Sequence, residues 1–468
     1  MASWVSWIKH SNDINDPLTS AELTGLTFAG TTLAVLNVVI NVFIAYFYTN
    51  TVGLKATTVG TLLLITRVAD GFSDLGMGII IKKTQSKWGQ ARPWCLRMAA
   101  PLLVSVILTF YIPQYWDLTA KTLYACISYF LMINIAITPA GLVGSVLGTN
   151  MTVSPESRRK NALISTPIVL ICSVVGNMVV LKITQSMNDS YEAWRIVAVM
   201  FGLLAFVGQL AQFLLTRERI TKFYTTQKNL NNSINESLPA LIKNKYFIIM
   251  CFVGMMTAVD SAMAGCSIFY LRYVLNKMEL LGVMGIITLF FMLSGIALTP
   301  IIAKKIPVKH LILAGLAIKI ATYAINFISP GNLALFLCFT ALRSFVGAPL
   351  MLNSSVYLLN TIEYGEFKTG ILANHLILSV SSVCSKIGSG FGGALIGWML
   401  AFGGYDGLEA VQTTSARNMI IAIYFLIPLI VSAICFILLS RYKLDEKYQY
   451  IIDVINRRKE SVKTIILS

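Results

Sequence analysis

The sequence predicts an all-α membrane protein of twelve transmembrane helices arranged in two six-helix bundles. Hydrophobic residues make up 56% of its 468 residues and charged residues only 12%, whereas soluble domains carry about 25% charged residues. Many apolar segments exceed the ~20 residues that cross a bilayer core. Helices are expected there because they satisfy their own backbone hydrogen bonds in lipid.

Twelve apolar segments define the predicted spans and, with them, the predicted domain boundaries. Their approximate limits are 24–48, 57–81, 94–113, 122–148, 163–184, 194–216, 246–271, 280–303, 310–329, 333–358, 374–402 and 416–440. The asparagine-rich polar stretch between the sixth and seventh spans divides them evenly. We therefore expect a bundle at 1–216, a cytoplasmic middle loop at 217–245, a second bundle at 246–440 and a cytoplasmic tail at 441–468. Two such bundles are typical of transporters whose halves rock around a site near the bilayer midplane.

The distribution of charge predicts how the chain is oriented. The formal net charge of +16 could suit nucleic acid, but the basic residues are concentrated in alternate loops, so no nucleic-acid partner is expected. The clusters are Lys82, Lys83, Lys87 and Arg92; Arg158, Arg159 and Lys160; Arg217, Arg219, Lys222 and Lys228; and Lys304, Lys305 and Lys309. This positive-inside pattern predicts a multi-pass protein of the plasma (cytoplasmic, or inner) membrane with both termini cytoplasmic. The basic tail could also touch anionic membrane lipid.

Several function classes lack the motifs that they need. No P-loop is present, so nucleotide-driven pumping has no support, and no helix carries the regularly spaced arginines of a voltage sensor. The chain has only three histidines and no recognisable metal motif or nucleophile–base set. We therefore expect neither an enzyme nor a cofactor, and active transport would have to use an ion gradient.

Three charges in the second span form the main candidate site. Arg67, Asp70 and Asp74 are spaced by three and four residues, which places them on one helical face. Ionisable residues inside a membrane mark ion or substrate pathways. The two carboxylates can bind one hard monovalent cation such as Na⁺, with hydroxyl or carbonyl oxygens completing its shell, or they can share a proton. The alternative is an Arg67–Asp70 ion pair that only joins helices.

The other spans hold further polar candidates. Lys386, in the eleventh span beside Ser381 and Ser382, needs an anionic partner when it is buried, and the second-span aspartates are the obvious one. Snorkelling of Lys386 to an interface is the alternative. Asn37 could bind a polar solute or bridge helices. Three lone charges either line a cavity or join helices: Asp260, Lys319 and Arg343.

Two longer motifs resemble a known family. The first comprises Asp70, Asp74, Gly78, Thr84, Ser86, Lys87, Trp88, Gly89, Arg92, Pro93 and Trp94. The second, predicted in the loop between the tenth and eleventh spans, comprises Glu363, Tyr364, Gly365, Glu366, Phe367, Lys368, Thr369 and Gly370. In both motifs the chain resembles the glycoside–pentoside–hexuronide:cation symporters, the melibiose-permease family. The resemblance covers nearly the whole chain.

That resemblance implies the major facilitator fold and secondary active transport. Across the family the two aspartates bind Na⁺, Li⁺ or H⁺, which implies that Asp70 and Asp74 bind the cation here, with Lys386 beside them. It also implies that the two motifs are cytoplasmic gate elements, which form or break charge pairs as access alternates. The gate residues expected from it are Arg92, Glu363, Tyr364, Glu366 and Lys368.

The resemblance is weaker at the positions that bind the solute than at the positions that bind the cation. Ala34 and Gly141 stand where the melibiose permease has the acidic residues that hold sugar hydroxyls. Ser145 replaces its aromatic platform and Ile168 its arginine of the fifth span. Because carboxylates that chelate neighbouring hydroxyls are a main source of sugar specificity, melibiose is not the predicted solute.

Together these patterns predict a symporter that couples a monovalent cation, Na⁺ or H⁺, to the uptake of a sugar or glycoside. Two alternatives stay open. One is symport of a non-sugar solute such as a lysolipid, which would call for an opening between helices to the bilayer. The other is a non-transporting sensor or scaffold on the same fold, against which the buried charges argue.

Overall fold

The computed structural model describes residues 16–152, 154–219, 244–369, 374–445 and 448–455, and within those ranges it contains helices and no strand. The helices, numbered in chain order, are α1 Ser20–Tyr46, α2 Ala56–Lys83, α3 Arg92–Phe110, α4 Leu118–Phe130, α5 Thr138–Met151, α6 Pro155–Ser186, α7 Tyr191–Leu215, α8 Lys245–Ala262, α9 Ser267–Tyr273, α10 Leu280–Ile302, α11 Val308–Ile328, α12 Leu333–Thr369, α13 Asn374–Phe402, α14 Thr414–Ile421 and α15 Ile427–Ser440. The predicted all-α class is confirmed.

Ten helical segments of the described ranges are long and apolar enough to cross a membrane. α2 and α13, which are 28 and 29 residues long, are not among them. In α2 the charged face described below reduces the apolar content. The total of twelve spans therefore stays a prediction.

Two helices extend well beyond the spans predicted from the sequence. α6 begins at Pro155 rather than 163, because Ser154 caps it by accepting a hydrogen bond from the Ser157 amide at 3.4 Å and proline suits the first helical turn. α12 runs to Thr369 rather than 358. Its last turns are held by tertiary contacts, including a bond from Asn244 Nδ2 to the Thr361 carbonyl at 2.8 Å. The second family motif therefore lies largely on a helix and not in a loop.

Three π-helical turns interrupt the long helices, at Phe47–Thr51, Leu131–Ile137 and Ala422–Leu426. The first continues α1, and the second joins α4 to α5. Such turns displace the regular i→i−4 bonding and occur frequently at functional sites. Two of the three contribute residues to the sites described below.

The chain divides into two compact units that are interleaved along the sequence. Unit 1 comprises Met1–Phe223, Ala264–Leu289 and Gly393–Ile420, and unit 2 comprises Tyr224–Met263, Phe290–Gly392 and Ile421–Ser468. The bundles expected at 1–216 and 246–440 stay a prediction. Most of the expected middle loop, residues 220–243, and the end of the tail after residue 455 lie outside the described residues.

Aromatic side chains fill the core of unit 1. Phe47, Phe110 and Trp194 come from the α1 turn, α3 and α7, and each is at most 1% exposed. The rings of Phe110 and Trp194 stack at 5.9 Å, and Phe47 meets Trp194 at 5.2 Å. These ring contacts pack α1, α3 and α7 against one another in the core of unit 1.

Candidate functional site

The charged face of α2 packs against the π-helical turn and the start of α5. Asp70 is 2% exposed and accepts a hydrogen bond from the Thr138 hydroxyl. Arg67 Nη1 lies 3.8 Å from the other Asp70 oxygen. Arg67 also donates from Nη2 to the Asn41 amide oxygen at 2.7 Å. The Asp70 carboxylate is thus held in a fixed position between α2 and α5, and Arg67 ties it to α1.

Two buried oxygens at the same contact lack a hydrogen-bond partner. Asn134, in the π-helical turn, donates from Nδ2 to the Thr66 backbone carbonyl at 3.4 Å, and the backbone carbonyl of Asn134 accepts from the Ser73 hydroxyl. Within the described ranges, Asn134 Oδ1 and Thr66 Oγ1 are buried without a partner. An unsatisfied buried polar atom costs about 1–3 kcal/mol. Both oxygens belong to the helix contact that buries Asp70, and oxygen is the ligand atom that small hard cations prefer.

Asp74 lies one turn from Asp70 on α2 and is half-buried. The opposite face of the helix is apolar and exposed: Ile65 is 59% exposed, Phe72 72% and Ile79 56%. This polarity predicts that the apolar face meets lipid while the two carboxylates point into the protein. The charged face of α2 that the sequence spacing predicts is therefore expected to face the interior of the protein rather than the lipid.

The remaining polar candidates of the sequence stand as follows. Asn37 donates from Nδ2 to the Leu33 carbonyl at 3.0 Å, a bond within α1. On α13, Lys386 and Ser381 are half-buried and Ser382 is exposed. The pairing of Lys386 with the aspartates of α2 stays a prediction.

Within unit 2, α13 packs closely on α8. A Cβ atom at Gly388 would lie 2.2 Å from the Met255 carbonyl oxygen, and one at Gly392 would lie 2.6 Å from Ala262 Cβ. Only glycine permits this approach at both positions. The segment that carries Lys386 is therefore positioned by backbone contact.

Asn50 is the centre of a polar network at the end of unit 1 where α1, α9 and the α13–α14 loop meet. Its Nδ2 donates to the Tyr273 hydroxyl at 2.5 Å and to the Gly407 carbonyl at 3.2 Å. Its Oδ1 accepts from the Tyr405 hydroxyl at 2.7 Å. Burial, reinforced by the neighbouring Tyr273 hydroxyl, raises the pKa of Tyr405 well above its ordinary value. The Tyr405 hydroxyl therefore stays protonated, and its hydrogen bond to Asn50 does not change with pH in the physiological range.

Asp189, in the α6–α7 loop, adds an ion pair at the same end of unit 1. Its Oδ2 accepts from Arg272 Nη1 at 2.5 Å and from the Tyr46 hydroxyl at 2.8 Å. Asn188, Asp189 and Asn276 adopt positive φ angles of 51°, 53° and 53°, and all three line one polar cavity of about 450 Å³. Loops in this uncommon conformation are held by their surroundings. We refer to Tyr46, Asn50, Asp189, Arg272, Tyr273 and Tyr405 as the Asn50 network.

The glycines Gly60 and Gly397 bring α2 and α13 into contact beside this network. A Cβ atom at Gly397 would lie 2.4 Å from the Ala56 carbonyl oxygen and 2.6 Å from Gly60 Cα. Trp398 Nε1 donates to the Thr61 hydroxyl at 3.1 Å. Unit 1 is therefore closed at this end by direct backbone packing.

Replacement of Asn50 by alanine should weaken that closed end. The change leaves the hydroxyls of Tyr273 and Tyr405 without their shared partner, at a cost of about 1–3 kcal/mol. We expect a lower thermal unfolding temperature in detergent and faster labelling of a cysteine introduced at Gln412. Tyr115→Ala, at a side chain that is 87% exposed, is the control. Unchanged labelling in Asn50→Ala would show that the network does not hold this end closed.

The first family motif folds onto the end of α7 at the opposite end of unit 1. Gly89 has φ +107°, and a Cβ atom there would collide with Glu218, whose Oε2 would be 2.1 Å away. Arg92 donates from Nε to the Phe213 carbonyl at 3.0 Å, and its guanidinium lies 4.9 Å from the centre of the Phe213 ring. Trp94 Nε1 bonds the Thr84 hydroxyl at 2.8 Å. The motif thus builds a rigid turn.

Glu218, which no pattern in the sequence marks, caps α3 although it lies 126 residues beyond Arg92. It is 4% exposed, and its Oε2 accepts from the Ala91 and Arg92 amides at 3.0 and 3.3 Å. Its Oε1 accepts from Asn150 Nδ2 at 2.6 Å. A carboxylate at a helix N-terminus is favourable because it satisfies free amides and the helix dipole.

Glu218→Gln should loosen the turn, because an amide supplies one acceptor and places a donor against backbone N–H groups. We expect a loss of stability of about 2 kcal/mol and faster hydrogen exchange at residues 84–94. Glu192→Gln, in the first turn of α7, is the matched control. Equal exchange in both variants would refute a capping role.

The second family motif occupies the last turns of α12 in unit 2. Tyr364 meets Tyr246 edge-on at 4.8 Å. Glu363 is half-buried, and its Oε2 has no hydrogen-bond partner in the described part of the chain. Glu366 is half-buried and Lys368 exposed. Whether these groups act as a gate with Arg92 stays a prediction.

Two charges that the sequence presented as lone are paired. Lys319 Nζ on α11 lies 2.8 Å from Asp260 Oδ2 on α8. Sequence spacing could not reveal this contact, since 59 residues separate the two. Of the three charges, Arg343 alone has no carboxylate within salt-bridge distance among the residues described.

The chain matches the family described as "MFS/sugar transport protein" over residues 26–446. It is 27% identical to the glucuronide carrier protein homolog of Escherichia coli K12, over 91% of this chain and 93% of that one. It is 28% identical to the putative glycoside/cation symporter YagG of the same organism, over 86% and 87%. It is also 28% identical to the isoprimeverose transporter of Lactiplantibacillus pentosus, over 87% and 85%.

Solved structures have the same fold at low identity. A D-xylose–proton symporter superimposes with a TM-score of 0.58 at 14% identity, over 89% of this chain and 95% of that one. The nucleoside transporter NupG superimposes with a TM-score of 0.61 at 11% identity, over 91% and 100%. These likenesses establish the fold alone.

Proposed function

The chain belongs to the MFS/sugar transport protein family and is a secondary transporter, and we propose that it takes up a sugar or glycoside by symport with a monovalent cation. The relatives named as a glucuronide carrier, a glycoside/cation symporter and an isoprimeverose transporter support this solute class. The proposed coupling ion is Na⁺ or H⁺, and Li⁺ could take the place of Na⁺.

The cation binds at Asp70 and Asp74. The observation that carries this proposal is the pair of unsatisfied buried oxygens, Asn134 Oδ1 and Thr66 Oγ1, at the helix contact that buries Asp70. Neutral oxygens of this kind cannot be satisfied by a proton on the carboxylate alone. A bound Na⁺ would accept electron density from several of them at once.

Binding of the cation neutralises the carboxylates and fixes α2 against α5, and this favours solute binding. The coupling is reciprocal, since the solute must raise the affinity for the cation by the same factor. Lys386, Ser381, Ser382 and Asn37 are the proposed solute and coupling residues, with Arg67 holding Asp70 in place.

Alternating access uses gates at the two ends of the protein. We place the extracellular gate at the Asn50 network and the Gly60–Gly397 contact. Arg92, Glu363, Tyr364, Glu366 and Lys368 form the cytoplasmic gate. Opening one and closing the other exposes the bound ligands to each side in turn.

The experiment that tests this function is uptake into proteoliposomes under an imposed gradient. Neutral sugars, alkyl glycosides and their uronic acid counterparts are supplied with a Na⁺ gradient, with a proton gradient or with neither. We expect accumulation of at least one of these solutes with Na⁺. Failure of every sugar and glycoside under both gradients would refute the proposal.

A lateral groove favours one alternative solute, a lysolipid. Within unit 1, α1, α6 and α7 line an apolar cavity of about 1090 Å³ that includes Phe28, Ile164 and Leu203, with Lys160 at its border. Those three apolar side chains are 36–46% exposed, so the cavity is open at the surface of unit 1. Its volume would admit an acyl chain, and Lys160 would meet a phosphate. Competition of the sugar uptake by lysophosphatidylglycerol, but not by its neutral monoacylglycerol counterpart, would favour this second function.

A further inference from the structure

The polar cavity of unit 1 has no part in the cation site described above. It has a volume of about 450 Å³ and lies between the α6–α7 loop and the segment that follows α9. These two pieces of chain are 83 residues apart at the ion pair that joins them. The cavity is lined by Gln185, Asn188, Asp189, Arg272, Asn276 and Met278. Five of these six side chains can form hydrogen bonds to a ligand.

The six lining residues carry no net charge. Asp189 and Arg272 pair at 2.5 Å, and the other polar groups are neutral amides. Asp189 also accepts a hydrogen bond from the Tyr46 hydroxyl at 2.8 Å, so the protein itself holds the ion pair in place. A charged ligand would have to compete with one member of this pair. The lining therefore favours a neutral ligand.

The amides of the cavity are accessible to a ligand. Gln185, Asn188 and Asn276 are exposed, and the Arg272 side chain remains 34% exposed beside its partner. Each amide supplies two N–H donors and a carbonyl acceptor, and a hydroxyl is likewise both a donor and an acceptor. Three amides around one cavity can therefore bond several hydroxyls of the same molecule.

Left-handed turns at two helix ends bring the amides to the cavity. Asn188 and Asp189, just after α6, have φ angles of 51° and 53°, and Asn276, just after α9, has 53°. The Asp189 N–H closes the end of α6 by donating to the Thr184 carbonyl at 2.8 Å. Helix ends of this kind usually carry glycine and less often asparagine. Here both turns carry polar side chains, and all of them line the same cavity.

The size of the cavity suits a small sugar. Cavities of about 300–1,000 Å³ accommodate small organic ligands, and 450 Å³ lies in the lower part of that range. A monosaccharide glycoside is neutral and carries neighbouring hydroxyls on one ring. Met278 offers an apolar contact to the C–H groups of such a ring. Size, charge and hydrogen-bonding capacity thus agree on one class of ligand.

We propose that this cavity is a second binding site for the neutral sugar or glycoside, distinct from the residues proposed above to bind the solute, and that it holds the solute before the gate opens. This inference rests on the proposed function. Asp189 and Arg272 belong to both the cavity and the Asn50 network, so the site adjoins the proposed extracellular gate. The charge distribution predicts that both segments are extracellular. Such a site increases the rate at which dilute solute is taken up.

Hydrogen exchange of the wild-type protein in detergent supplies the first test. The probes are methyl β-D-glucopyranoside, methyl β-D-xylopyranoside and tetrahydropyran-2-methanol, a similar ring without neighbouring hydroxyls. We expect the two glycosides to slow exchange of the backbone amides at residues 187–190 and 274–278, and the third probe to leave it unchanged. Exchange that no probe alters, nor any glycoside that the protein takes up, would overturn the inference and leave the symporter proposal intact.

Glycine variants assign the effect to the amides. The double variant Asn188→Gly/Asn276→Gly removes two amides and keeps both turns, because glycine adopts positive φ freely. Loss of two hydrogen-bonding groups should weaken binding by about tenfold. We expect the slowing by glycosides to disappear and the KM for uptake by intact cells to rise by about that factor at an unchanged Vmax. Lys277→Gly, beside the cavity but not lining it, is the matched control.

The outcomes separate the site from the proposed function. Slowing that survives in the double variant, or that is lost equally in Lys277→Gly, contradicts the role of the two amides. A lower Vmax at an unchanged KM would indicate a defect in the gate or in folding, and would overturn the role in uptake. If glycosides slow exchange but no sugar or glycoside is transported, the proposed function fails and the role of the cavity in uptake fails with it.

Discussion

Asp70→Asn should abolish cation-driven accumulation of the solute while leaving exchange of solute across the membrane measurable. The substitution retains the size of the side chain and its bond to Thr138 but removes the charge that a cation needs. Loss of a charged ligand costs about 3 kcal/mol, or about a hundredfold in cation affinity. Exchange persists because it requires only repeated binding and release of solute. The measurement is counterflow and gradient-driven uptake in the same proteoliposomes.

Asp74→Asn should behave in the same way, because it removes the second carboxylate of the proposed pair. Asp117→Asn is the matched control, since Asp117 is a carboxylate that only caps α4. Persistence of concentrative uptake in both Asp70→Asn and Asp74→Asn would refute the cation assignment. Loss of accumulation in Asp117→Asn would indicate a general defect instead.

Gly397→Ala should strongly reduce transport by preventing closure of one end of unit 1. The added Cβ would meet the Ala56 carbonyl oxygen at 2.4 Å, and neither atom can move without displacing a helix. Overpacking of this kind costs about 1–3 kcal/mol, enough to shift the populations of open and closed states by about tenfold. We expect uptake to fall by at least that factor while equilibrium binding of the solute is retained.

Gly30→Ala is the matched control, because it adds the same methyl group to a helix at a position with nothing within 4 Å. The readout that separates a gate from a folding defect is labelling of a cysteine placed at Thr61, which should increase in Gly397→Ala only. Normal uptake in Gly397→Ala would show that the contact does not close during transport.

The charges of α2 show how much the spacing of residues within one helix can predict. Spacings of three and four placed Arg67, Asp70 and Asp74 on one face, and the structure shows an apolar exposed face opposite to them. The partners of Asp70 were beyond prediction. Its hydroxyl partner Thr138 lies 68 residues away at the start of α5, directly after the π-helical turn that carries Asn134, and no periodicity in the sequence marks that turn.

Long-range contacts also explain the errors made from the sequence. Asp260 and Lys319 each looked isolated because hydropathy contains no information about which helices are neighbours. α12 was expected to end near 358 because its last turns are polar, yet contacts such as Asn244 with Thr361 keep them helical. Glu218 was overlooked because a carboxylate after a span is ordinary until its amide partners on α3 are known.

The sequence by itself determined the class of this protein: an apolar, weakly charged chain must form membrane helices, and its buried aspartates must have a use. These properties depend on composition and on spacing within one helix, where geometry is set by the backbone. Only the tertiary structure decided which oxygens surround Asp70, that Gly60 and Gly397 touch, and that the turns after α6 and α9 line one cavity. Such facts depend on the packing of helices remote in the chain, and packing free energy has no local signature in the sequence.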